Sequence, residues 1–452
     1  MRVNSAHNIL NMKERYLPGQ HERANWMRLD SARILKRFFF CEQSLILAQG
    51  GWIAGVPLLD AKVTLPKHLW EDSLTADELR KRVFELRFPS REMIVGDDAP
   101  ITALFDQAIH APGPEAFVLA LAQVFKPAFL DVYRRYLDHA DEIAEGPTIR
   151  FMRAAIADKT RQIGELNALA ETLLAHNPAS RHQAEAWVRT LTHALEQTGG
   201  LTVETPKPAP AAFPLPGSRT FKLAEVPARD SRFDLQRFYW PDQIDPTFSY
   251  GEGVRLQLRS AVSHINEVWA VETAGAILQA FAERLGWEFV FDAARWGYDE
   301  SRHCRMGYER LLHWGFAPSE IPLGTYIFDS AFGQDPVYRM GMLFYFETKN
   351  IGKKPQRTQA FASYHDAVSQ HDMDFDWADE TIHAGYGARW LGELNTQTPG
   401  YADSDAIRLR CDALVKQVVD AATDTDKTRV RTSAEAMIAK AETLALAAAA
   451  TA

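Results

Sequence analysis

Only two of the 14 histidines follow a glutamate by three positions: His303 after Glu300, and His383 after Glu380. Chance alone supplies about one such pair in a chain of ordinary composition. What these two share carries more. Each glutamate is preceded by aspartate, in Asp299-Glu300-Ser301-Arg302-His303 and Asp379-Glu380-Thr381-Ile382-His383. About one helical hairpin upstream of each lies a further glutamate in an apolar stripe. Ile265, Trp269, Glu272 and Ala276 fall on one helical face, as do Phe289, Ala293, Trp296, Glu300, His303 and Gly307. Met340, Phe344, Glu347 and Ile351 form a third stripe, and Met373, Trp377, Glu380, His383 and Gly387 a fourth. Spacings of three and four point all six polar groups at the core. An unpartnered buried carboxylate costs several kcal/mol or gives up its charge. Four carboxylates and two imidazoles in one core therefore need a shared explanation, and a pair of metal ions supplies it.

This order resembles the ferritin-like di-iron carboxylate superfamily, in which two helices each give a Glu and two give Glu-x-x-His. The resemblance covers about residues 252–392. It implies an all-α fold with a ferritin-like four-helix bundle. It also implies that Glu272, Glu300 and His303 serve one metal and that Glu347, Glu380 and His383 serve the other, with Glu300 and Glu380 bridging. The Asp-Glu-x-Arg-His form is similar to bacterial multicomponent monooxygenases, where the aspartate hydrogen-bonds a ligand histidine and fixes its tautomer. Asp299 and Asp379 would do so here. Trp377-Ala378-Asp379-Glu380 and the following Gly385–Trp390 (GYGARW) are also similar to a poorly characterised bacterial ferritin-like family related to tRNA-hydroxylating di-iron enzymes.

The implied function is an O2-dependent di-iron oxidoreductase with two iron ions, manganese or a mixed pair being alternatives. It would act on a small organic molecule and draw electrons from a reductase or ferredoxin. Hydroxylation, N-oxygenation, desaturation and oxidative cleavage all fit. A homodimer is the expectation by resemblance. The competing readings are a ferroxidase or peroxide-handling protein and a non-enzymatic helical scaffold with structural metal. HExxH, the zinc-peptidase signature, is absent.

Around this centre the chain of 452 residues divides by composition. Residues 1–200 read as an N-terminal helical bundle without metal. Residues 201–245 are a proline-rich connector, 246–400 the di-metal bundle, and 401–452 C-terminal helices with an alanine-rich tail. The first bundle carries an echo of the second. Glu42 sits in a hydrophobic helix, and Glu71 and Asp72 follow one hairpin later, but Thr75 stands near where a histidine would be needed. Asp141, Glu142, Glu145 and Asp158 extend the acidic pattern, and His68 and His139 are off it. The expectation is a degenerate ferritin-like bundle.

A net charge of −9 disfavours broad binding to phosphate backbones. Three scattered cysteines without a CxxC pair argue against disulfides and thiolate zinc, and fit a reducing cytoplasm. The N-terminus lacks the apolar run of a secretory signal, and the run from Ala116 to Phe125 is too short to span a bilayer. Cys304 reads as packing, as do most aromatics near the motifs: Trp296, Tyr298, Tyr308, Tyr345, Trp377 and Tyr386. His365 and His371 are candidates for an extra ligand. Lys349, Lys353, Lys354 and Arg357 form a solvated helix end or a contact for an acidic partner or phosphorylated substrate.

Overall fold

Apolar side chains at spacings of three and four recur along most of the chain, and the computed structural model is accordingly all-α. It describes residue 23 and residues 25–207, 213–398, 401 and 403–451. The N-terminal stretch read for a secretory signal, part of the connector and the last residue of the alanine-rich tail lie outside these.

In the first half, α1 (Arg28–Trp52), α2 (Leu59–Leu86), α3 (Ala99–Asp106), α4 (Pro114–Ala120), α5 (Lys126–His139), α6 (Gly146–His176) and α7 (Arg181–Gln197) follow in order. A π-helical turn, Leu121–Phe125, joins α4 to α5. The continuous segment Pro114–His139 is long and apolar enough to cross a membrane, although the run within it read as too short. Of its apolar window, 72% is buried inside the protein, a composition that core helices share.

The second half runs α8 (Val254–Asn266), α9 (Val268–Leu285), α10 (Trp287–His313), α11 (Tyr326–Ser330), α12 (Val337–Asn350), α13 (Lys354–Ser363) and α14 (Ala367–Gln397). The tail forms α15 (Ser404–Asp420) and α16 (Asp424–Thr451). Gly286, at φ +77°, turns α9 straight into α10, a conformation that side chains with a Cβ resist. Asp366 and Asp403 cap α14 and α15 by accepting from the backbone N–H of Ser369 and Ala406. Among the described residues the only strand pairing is parallel and two residues long, β1 (Asp234–Leu235) on β2 (Pro322–Leu323).

The connector divides the sequence but not the core. Helices α1 and α2 pack on α9 and α10, and one continuous apolar cluster runs through both halves. Gly275 permits the closest approach, because a Cβ there would lie 2.4 Å from the carbonyl oxygen of Gly50. The connector itself is tied down by charge. Buried Arg37 donates to the carbonyl of Glu204 at 2.6 Å and to Asp98 at 2.7 Å. Asp230 accepts from the N–H of Leu59 at the start of α2.

The acidic echo in the first half is satisfied by lysines. Lys159 of α6 lies 2.7 Å from Glu42 and 2.5 Å from Asp72, and Lys126 of α5 also bonds Asp72. All four are buried. Tyr133 donates to Glu42 at 2.6 Å, and Gln49 to Asp72 at 2.8 Å. Glu71 turns away to Arg161, and His68 to Glu165. His139 holds the carbonyl of Arg135, and Asp141 sits at the surface with Arg23.

Burial opposes the charge of Asp72, yet Lys126 and Lys159 hold its carboxyl well below its ordinary 3.8. A depressed folded value gives stability that is present above about pH 4 and is lost on acidification. Asp72→Asn leaves Lys126 without its carboxylate. The expected cost is about 3–5 kcal/mol in urea unfolding at pH 7, with part of the wild-type loss below pH 4 removed. An unchanged unfolding midpoint at pH 7 would refute this account of the first core.

Candidate metal centre

Five of the six expected ligands come together. Glu300 and His303 face inward from α10, Glu347 from α12, and Glu380 and His383 from α14, and all five are buried. Glycine controls how closely their helices approach. At Gly307, four residues after His303, a Cβ would lie 2.4 Å from both the carbonyl oxygen of Ala261 and the nitrogen of Ile265 on α8. At Gly387, four residues after His383, it would lie 2.6 Å from the ring of Phe344 on α12.

Glu272 does not join them, which corrects the expectation. It is fully buried on α9, but Lys62 of α2 donates to its Oε1 at 2.6 Å, and Arg229 of the connector bonds the same oxygen. Glu267, at the break between α8 and α9, lies beside His303 instead. Asp376, one turn before Glu380 on α14, is a further member that spacing missed. Three overlapping groups result: Glu267–His303–Asp376, Glu300–His303–Glu380 and Glu300–Glu347–His383. Within each, the ligand-type atoms lie within 4.8 Å of one another, an arrangement that could hold metal ions.

The two imidazoles are held crosswise. His303 Nε2 lies 3.2 Å from Asp379, and His383 Nε2 lies 3.3 Å from Asp299. Burial opposes the charge of Asp299, but His383, Arg295 and Arg302 bring its carboxyl down to about 2. An ionised carboxylate can only accept, so Nε2 of His383 carries the proton. Arg302 bridges the aspartates, at 2.6 Å from Asp299 and 2.5 Å from Asp379.

Each Nδ1 then faces carboxylates. His383 Nδ1 is 3.1 Å from Glu300 and 3.7 Å from Glu347. His303 Nδ1 is 3.3 Å from Glu267, 3.5 Å from Glu300 and 3.6 Å from Asp376. None of these contacts has hydrogen-bond geometry. Both Nδ1 atoms, and one oxygen each of Glu267, Glu300 and Asp376, are buried without a hydrogen-bond partner. Such groups are expensive to leave unsatisfied.

The electrostatics demand positive charge. Five carboxylates share one ammonium, that of Lys354, which bonds Asp376 and lies 3.6 Å from Glu380. Burial lowers His264, beside Asp376, to about 4, so it stays neutral at pH 7. Burial and the charge of Glu347 push Glu380 well above the carboxylate range. Burial disfavours an imidazolium at His303 and His383, yet the surrounding carboxylates raise both well above their ordinary value. Without metal, the site draws protons into the same space.

The aromatics divide. Trp296 donates to Glu347 at 3.2 Å and stacks on His383, while Trp377 is 37% exposed. Tyr386 lies against Trp296 and His383, and Tyr308 against Phe233. His365 and His371 join none of the groups. A cavity of about 510 Å³ reaches Glu267, Glu300, Glu347 and Glu380, and Tyr345, Lys353 and Arg357 also line it.

A family model described as a protein of unknown function (DUF455) matches residues 179–419, more than half of the chain and every helix of the cluster. No curated protein and no solved structure matches the chain.

The glycine contacts have unequal consequences. Gly307→Ala meets backbone that cannot turn aside and should cost about 1–3 kcal/mol, whereas Gly387→Ala meets a ring that can rotate and should cost less. Chemical denaturation of both variants checks the order, and equal or reversed costs would contradict it.

Proposed function

The chain belongs to the DUF455 family, and we propose that it is an O2-dependent di-iron oxidoreductase acting on a small organic substrate. Manganese or a mixed pair is the alternative metal content. The helices bearing the cluster are read as a ferritin-like bundle, on the order Glu, Glu-x-x-His, Glu, Glu-x-x-His.

The observation that carries this reading is the convergence of five partnerless buried atoms, all of ligand type, between two imidazoles whose outer nitrogens are already engaged. Donors sharing one cation at about 2.1 Å lie about 3 Å apart. The closest Nδ1–carboxylate distances, 3.1 and 3.3 Å, are near that spacing. Two divalent cations would also balance the four negative charges left after Lys354.

Glu267, Asp376 and His303 would hold one ion, and Glu347 and His383 the other, with Glu300 and Glu380 between them. Iron bound there supplies the redox chemistry with O2. The protein's part is to hold both imidazoles in one tautomer through Asp299 and Asp379, to fix Glu347 through Trp296, and to seat a substrate beside the carboxylates. The cavity favours an organic substrate over simple ferroxidase turnover. A reductase or ferredoxin would supply electrons.

Elemental analysis of the purified protein tests the reading. About two iron or manganese ions per chain are expected, falling sharply in Glu300→Ala and His383→Ala. Glu267→Gln should also lose metal. Glu272→Gln should keep it while unfolding at lower temperature, since Lys62 and Arg229 lose their partner. No metal after anaerobic Fe(II) reconstitution would end the proposal. Retention in Glu267→Gln with loss in folded Glu272→Gln would restore the ligand set expected from spacing.

A further inference from the structure

Two guanidinium groups converge on one tyrosine at the cavity. Arg259 lies 4.9 Å and Arg357 4.8 Å from the ring centre of Tyr250. Between them they have one carboxylate partner among the described residues. Asp242 accepts from Nε and Nη2 of Arg259 at 3.1 and 3.2 Å. Nη1 of Arg259 is buried without a partner, on a residue only 6% exposed. Arg357 and the neighbouring Lys353 have no carboxylate partner among the described residues. Two more cavity-lining side chains hold unpartnered buried donors, Nε2 of Gln243 and the hydroxyl of Ser260.

This patch and the candidate metal centre line the same cavity. Glu300, Glu347 and Glu380 are buried in its floor, while Lys353 is exposed and Arg357 half-buried. With the floor carboxylates committed to cations, the uncommitted charge facing the cavity is positive. Tyr239, Trp269, Tyr326 and Phe346 add aromatic surface to a lining that is otherwise mostly polar.

We propose that the cavity selects an organic anion, a carboxylate or a phosphate ester with a flat unsaturated body. Its charged end is held by Arg357, Lys353 and Arg259, and its body extends toward Glu300 and Glu380. Arg357 and Lys353 are specificity residues: they select and orient the substrate. The inference rests on the metal-centre reading, because ionised floor carboxylates without cations would repel the same ligand.

Titration calorimetry on the full chain, with metal measured in the same batch, tests it. The probes are phenyl phosphate, benzoate and neutral benzyl alcohol. At least one anion should bind about tenfold or more tightly than benzyl alcohol, as one charge-assisted contact allows. Its affinity should fall with added salt. Arg357→Gln and Lys353→Gln should each weaken the anion by about tenfold and leave the alcohol and the metal content unchanged. Equal affinity for the alcohol, no effect of either variant, or no binding of either anion at millimolar concentration would overturn the inference. Anion affinity should fall in metal-stripped protein, and binding that persists there unchanged would overturn the dependence of the anion site on the metal centre.

Discussion

The buried carboxylates at the helix interfaces of this protein need compensating charge, and how they obtain it organises the structure. Desolvating an anion costs several kcal/mol even after the surroundings relax, so stripes of acidic side chains on apolar helices cannot be left alone. In the first half, two lysines supply the charge for Glu42 and Asp72. For Glu272, a lysine from α2 and an arginine from the connector do so. For Asp299 and Asp379, Arg295 and Arg302 do so. The group around Glu300 stands apart. Its carboxylates outnumber its fixed cations, and its unpartnered atoms point at one another. Beside Glu42, Asp72, Glu272, Asp299 and Asp379, each of which has a lysine or arginine, that deficit is local and has a shape.

The same constraint explains what the sequence could and could not reveal. Glu300, His303, Glu347, Glu380 and His383 were legible because each lies inside a long helix whose phase is fixed by apolar neighbours. Glu267 was not, because it stands where α8 stops and α9 starts, at φ −64° and ψ −1°. That break resets the phase, so the stripe through Ile265 and Trp269 runs on to Glu272, which faces the first half instead. Its partners Lys62 and Arg229 are remote in sequence and carry no local signal. Asp376 was passed over because the stripe on α14 was drawn through Trp377, which is 37% exposed, whereas Asp376 is fully buried. The aspartate preceding each motif glutamate was visible, but not that each would serve the other motif's histidine.

The loss of Glu272 from the expected ligand set also changes the role of the first half. Read as a separate bundle, it had no part in the chemistry. Instead α2 and the connector reach across to α9 and neutralise a charge that would otherwise sit uncompensated in the core of the second half. The continuous apolar core and the close backbone contact between Gly50 and Gly275 keep Lys62 in range. The proline-rich segment prevents a continuous helix between the halves, yet delivers Arg229 and Asp230 to fixed positions on both. A helical second half without α1, α2 and the connector would expose apolar surface and strand Glu272 as well.

The crosswise pairing of histidine and aspartate makes the two motif helices interdependent. His303 on α10 is oriented by Asp379 on α14, and His383 on α14 by Asp299 on α10. Arg302 ties the two aspartates together, so the outer faces of both imidazoles share one ionic network. A shift of either helix along its axis would disturb both histidines at once. That reciprocity converts two short motifs, 80 residues apart, into one rigid unit without requiring strain. On the inner side the carboxylates are held unevenly: Trp296 donates to Glu347 and Lys354 to Asp376, whereas Glu380 meets Lys354 at 3.6 Å and the carboxyl of Glu347, and one oxygen each of Glu267 and Glu300 is buried without a hydrogen-bond partner. A fixed imidazole frame facing unevenly held carboxylates suits ions whose charge and ligand demand change during a reaction, because the less constrained carboxylates can reorient while the histidines stay in place.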